Sequence, residues 1–81
     1  MIEALLNPPY PARIRLKQDI PFIVEYNRPY HHEPTVLTLN AGEIGEYFNE
    51  CYVFDSRDGW APFFSRVVLA RLPSFIEVIN E

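Results

Sequence analysis

The chain has 81 residues, which is room for one small domain. Its hydrophobic content of 48% argues for a packed core rather than disorder, and no apolar run nears the roughly 20 residues of a membrane span. The net charge of −4 is unevenly spread: residues 1–17 carry three bases against one acid, residues 18–81 ten acids against four bases. Such an acidic body repels phosphate, so neither nucleic acid nor a membrane surface is an expected partner, while a basic peptide is attracted.

In chain order, residues 1–6 suit a short helical turn, stopped by Pro8 and Pro9. NPPYPAR, residues 7–13, has the pattern proline-x-x-proline-x-arginine that polyproline-groove receptors bind. Two readings stay open for it: a stiff lead-in to the next element, or a ligand for a groove on its own chain or on a second copy, held there at high effective concentration. ARIRLK, residues 12–17, alternates Ala12, Ile14 and Leu16 with Arg13, Arg15 and Lys17, the signature of a half-buried strand.

Residues 22–26 (FIVEY) read as a strand and 27–34 as a loop. Extended segments follow at 35–39, 43–48 and 51–54, with a turn at Asn40-Ala41-Gly42. Residues 55–59 (DSRDG) are a dense turn signal. A further extended stretch is expected at 60–64, with Pro62 where no ladder donor is needed. Residues 66–72 suit either a strand or a turn of helix, and 75–79 read as the last strand. Eight prolines cut every long helix, and short strands with close turns imply an all-β barrel or sandwich. At this length a five- to six-stranded barrel is the economical solution, because closure removes exposed edges.

No constellation for catalysis or metal binding emerges. His31 and His32 are adjacent, so on a strand they diverge, and no other His or Cys lies at ligand spacing. Cys51 has no activating neighbour in sequence and reads as a small buried hydrophobe. As a lone cysteine it fits a reducing, cytoplasmic compartment, and the start of the chain shows no secretory leader. Glu43, Glu46 and Glu50 read as structural or solvated acids rather than a catalytic pair. No enzyme, metal or cofactor is expected.

Three stretches resemble the Src homology 3 domain. Residues 37–44 (LTLNAGEI) are similar to that family's "E-L-S-F-x-x-G-D-x-I", where the chain leaves the RT loop, turns and enters the second strand. Asp58-Gly59-Trp60 resembles its "D-G-W-W", which opens the third strand. Residues 72–79 (LPSFIEVI) resemble "F-P-S-N-Y-V-E-x-I", the short 3₁₀ turn and last strand. The likeness covers about residues 22–80. It implies a barrel over 21–81, with residues 1–20 as an N-terminal proline-containing arm or an added strand. It also implies a non-catalytic module that binds an extended, proline-containing basic peptide through an aromatic groove.

Carried over position by position, Trp60 matches the groove tryptophan and Pro73 the proline of the 3₁₀ turn. Tyr26 matches the first tyrosine of "A-L-Y-D-Y", and Phe75 stands at the groove tyrosine. Tyr30 is the candidate for the second tyrosine, because "A-L-Y-D-Y" is reduced here to Val-Glu-Tyr-Asn-Arg. Glu33, Glu50, Asp55 and Asp58 are the acids expected to meet a ligand cation. Ala61 replaces the second tryptophan, Ala70 replaces a glycine, and the segment from Gly42 to Trp60 is about five residues longer than in the family. The fold therefore transfers better than the groove. The alternative function is a barrel of the same shape serving as an accessory subunit of a larger enzyme or complex, with no peptide groove. The expected partner is a protein or proline-rich peptide, and self-association through residues 8–13 is one form of it.

Overall fold

In the computed structural model, residues 1–25, 34–56 and 61–79 are described. Among them the chain is mostly β, as its short alternating segments predict. Seven strands form a five-stranded antiparallel sheet and a separate two-stranded one.

The alternation of ARIRLK builds β1, Arg13–Leu16, with Ile14 and Leu16 buried and the arginines exposed. β1 pairs antiparallel with β4 (Ile44–Phe48) on one side and with β7 (Ile76–Ile79) on the other. Within residues 1–20, set apart in the sequence as an arm or added strand, β1 is thus an interior strand of the large sheet. The same stretch contributes Leu5 to the core, from a 3₁₀ turn at Glu3–Leu5.

β2 (Ile20–Glu25) and β3 (Pro34–Leu39) form the two-stranded sheet, register Phe22↔Leu37 and Ile23↔Val36. Pro21 is tolerated because both strands of such a ribbon have a free edge. The chain re-enters the large sheet through Asn40-Ala41-Gly42. Gly42 has φ 94, open to glycine at little cost, and its N–H donates to the Leu16 carbonyl at 2.7 Å. Glu43 closes the turn by accepting from the Asn40 N–H, and Asp19 accepts from the Ala41 N–H.

From β4 the chain turns at Asn49 and Glu50, with φ 46 and 70, into β5 (Cys51–Val53). Positive φ at both central residues is the hairpin geometry that matches the twist of paired strands. β6 (Phe63–Ser65) pairs with β5, giving the order β6-β5-β4-β1-β7. Of the extended stretch expected at 60–64, the described part, 61–64, enters a strand at Phe63. Pro62 is buried ahead of it, and its carbonyl accepts from the Phe54 N–H.

Of residues 66–72, open to strand or helix by sequence, Arg66–Ala70 form the short helix α1. Ser65 decides this: its Oγ accepts from the Val67 and Val68 N–H groups, satisfying donors that a first turn leaves free. α1 buries Leu69 and Ala70 beside Leu5, and the Ile2 N–H donates to the Ala70 carbonyl. The core is then Leu5, Ile14, Leu16, Leu39, Tyr52, Phe54, Leu69, Ala70 and Ile76. Among the described residues no helix is long and apolar enough to cross a membrane.

Candidate functional site

Of the residues expected to bind peptide, Tyr26, Tyr30, Glu33, Asp58 and Trp60 lie outside the described residues. The other four are spread over three places. Glu50 sits in the β4–β5 turn and Asp55 just beyond the other end of β5. Pro73, exposed, and Phe75, half-buried against the core, belong to the turn between α1 and β7. The Phe75 carbonyl accepts from the Lys17 N–H at 2.7 Å, which ties this turn to the end of β1.

Glu50 is already engaged: its carboxylate accepts from Arg66 Nε, and its carbonyl from the Arg66 N–H. That hydrogen bond raises the Arg66 pKa above its ordinary value. The same guanidinium donates through Nη1 to the Leu5 carbonyl at 2.9 Å and lies 4.3 Å from the centre of the Tyr10 ring, a cation–π stack.

Around Tyr10 the structure assembles a cluster that the sequence did not single out. Tyr47 and Tyr52 are cross-strand partners on β4 and β5. Their rings meet edge to face at 5.6 Å, and Tyr47 lies 5.5 Å from Tyr10. Tyr52 Oη donates to the Pro11 carbonyl at 2.7 Å, and the Tyr47 N–H donates to the Ala12 carbonyl at 2.9 Å. Residues 10–12 of the proline segment are therefore packed on tyrosines of their own chain. The available signal was the symmetric placing of Tyr47 and Tyr52 about the Asn49-Glu50 turn, which makes them neighbours once that turn is seen as a tight hairpin.

Burial pushes the Tyr52 pKa up to about 12, from 10.0, aided by the proximity of Tyr47 and opposed by Arg66. A raised pKa means that stability from this group is complete below pH 10 and is lost as pH climbs towards 12. The full loss is roughly 2–3 kcal/mol. Tyr52→Phe removes that alkaline component and costs about 1–2 kcal/mol at pH 7, because the half-buried Pro11 carbonyl loses its donor. Urea unfolding of both proteins at pH 7 and pH 11 checks this: the difference between them narrows at the higher pH.

Among the described residues, concavities flank the sheet. One, about 350 Å³, lies between residues 9–13 of the proline segment and Val78 and Ile79. The larger, about 730 Å³, is lined by Glu43, Glu46 and Asp55 together with apolar Ile44, Phe48 and Val53. Among the described residues no group of three His, Cys, Asp or Glu could hold a metal ion. The chain matches no family model, no curated protein and no solved structure.

Proposed function

We propose that the chain is a non-catalytic protein-interaction module with a small barrel of the Src homology 3 kind. The observation that carries the reading is the place of the β2–β3 ribbon. It leaves the large sheet after β1 and returns at β4 through Asn40-Ala41-Gly42, where the family has its RT loop and turn into the second strand. The short helix and turn between β6 and β7 likewise stand where the family has its 3₁₀ turn and last strand.

In this reading Trp60, Pro73, Phe75 and Tyr26 or Tyr30 supply an apolar trough for a polyproline helix, whose three-residue repeat offers ridges to flat rings. The acids that orient a ligand cation in this reading are Glu33, Glu50, Asp55 and Asp58, of which Glu50 also holds Arg66. A cytoplasmic location fits the unpaired Cys51.

Titration of the chain with an NPPYPAR peptide, followed by Trp60 fluorescence, tests the groove. The expected result is a saturable emission shift at micromolar to sub-millimolar peptide that Pro73→Ala weakens. No shift from a folded sample leaves the second reading, the accessory subunit. That reading is favoured by Ile23 and Val36, which face each other across the β2–β3 ribbon and are 68% and 63% exposed, a pairing that suits a surface covered in an assembly.

A further inference from the structure

The proline segment is anchored at both ends and gripped in between. Before it, Leu5 is fully buried in the core. After it, Arg13 opens β1 and is paired on both sides, with Glu46 of β4 and Ile79 of β7. Between these anchors Tyr10 stacks on Tyr47 at 5.5 Å, and the Arg66 guanidinium lies 4.3 Å from the centre of its ring. The Pro11 carbonyl accepts from Tyr52 Oη at 2.7 Å, and the Ala12 carbonyl accepts from the Tyr47 N–H at 2.9 Å. Asn7, Pro8 and Pro9, in contrast, are exposed.

These are the means by which a proline peptide is held. Flat rings meet a Tyr-Pro step, and an aromatic hydroxyl donates to a carbonyl of a segment that has no hydrogen bonds of its own. Here the bound segment belongs to the same chain, so it sits at its site at high effective concentration. A receptor in trans needs the same atoms. It needs Pro8 and Pro11 on one ridge of a three-residue helix, with the arginine free beyond them. In this fold the Pro11 carbonyl is taken, and Arg13 is held extended inside a sheet.

We propose that Tyr47, Tyr52 and Arg66 form a site for the chain's own Tyr10-Pro11-Ala12, and that this occupancy withholds the proline-x-x-proline-x-arginine motif from every other receptor. The segment is a strap rather than a ligand on offer. Arg66 ties it down, because the same guanidinium that covers Tyr10 bonds Glu50 in the β4–β5 turn and the Leu5 carbonyl ahead of the strap. Self-association through residues 8–13 then does not occur, since a second copy meets only the exposed Asn7-Pro8-Pro9. The proposal does not rest on the Trp60 groove, which takes its peptide from elsewhere. A motif released in about 3% of molecules binds roughly thirtyfold more weakly than the same motif always free.

The test uses a Src homology 3 domain selected for binding the free NPPYPAR peptide, titrated by calorimetry with that peptide and with the full chain. The full chain is expected to bind it at least roughly thirtyfold more weakly than the peptide does. Arg66→Gln and Tyr47→Ala leave the motif untouched, and each is expected to tighten binding of the full chain about fivefold. Arg71→Gln, at an exposed cation outside the cluster, is expected to change nothing. Arg66→Gln alters no strand residue, so it keeps the test decisive where Tyr47→Ala unfolds the domain. Equal binding of peptide and full chain overturns the proposal, and so does a folded Arg66→Gln that binds no better than the parent chain. A concentration-dependent dimer that Pro8→Ala dissolves also overturns it, because the motif would then be on offer in trans. The groove reading is decided separately. A full chain that binds as tightly as the peptide leaves a Trp60 shift unexplained away, and an absent Trp60 shift leaves the strap standing alone.

Discussion

Gly45→Ala is expected to destabilise the domain by about 2–3 kcal/mol, or roughly 10–20 °C in Tm for a chain of this length. A methyl group at Gly45 would lie 2.7 Å from Phe54 Cζ and 2.8 Å from Cε1, closer than carbon atoms can approach. The ring cannot easily yield. Phe54 is buried, its ring packs edge to face on Phe64 at 6.4 Å, and its own N–H is held by the Pro62 carbonyl. Nor can β4 bend away, since Gly45 pairs with Ile14 in the middle of the sheet. The steric account has its own check. Phe54→Leu alone is destabilising because it leaves a void, but in combination with Gly45→Ala the losses add to clearly less than their sum, as expected for residues in direct contact. Strict additivity in urea unfolding would mean that the glycine is required for some other reason.

The second large effect lies at the other end of the chain. Leu5→Ala is expected to cost about 2–5 kcal/mol, a large share of the few to ten or so kcal/mol that hold such a domain together. Leu5 has no exposed surface and packs in the core beside α1. Its backbone is tied as well, with the carbonyl accepting from Arg66 Nη1 and the neighbouring Ile2 N–H donating to Ala70. The measurement is thermal and urea unfolding followed by circular dichroism. A loss below about 0.5 kcal/mol would mean that residues 1–6 are a dispensable lead-in, and the packing of Tyr10 on Tyr47 and Arg66 would lose its anchor.

These predictions concern places where local sequence carries little information. Glycine at position 45 looks like any weak point in a strand until Phe54 is seen lying over it. Leu5 belongs to a three-residue apolar run, Ala4-Leu5-Leu6, too short to declare its depth. In contrast, ARIRLK announced β1 by strict alternation, because only a period of two separates Ile14 and Leu16 from the arginines. The turn at Asn40-Ala41-Gly42 was equally legible, since a positive φ favours glycine.

For the candidate site, composition pointed to aromatic and acidic recognition, and family likeness named its positions. Five of those nine positions lie outside the described residues, and a sixth, Glu50, is bound to Arg66. The Tyr10, Tyr47, Tyr52 and Arg66 cluster was not legible because its members come together from positions 10 to 66. No periodicity links them, only the pairing of β4 with β5 and the return of α1 over the N-terminal turn.

By itself, then, the sequence determined the all-β character, most strand positions, the proline-limited helix lengths and the acidic surface. Each of these follows from local sterics or from summed charge, which depend on neighbours along the chain. Only the tertiary structure decided that β1 is an interior strand, that residues 66–70 are helical, and that residues 10–12 rest on two tyrosines. Those outcomes depend on which distant segments pair and in what register, and a register is chosen by the burial of the whole core at once.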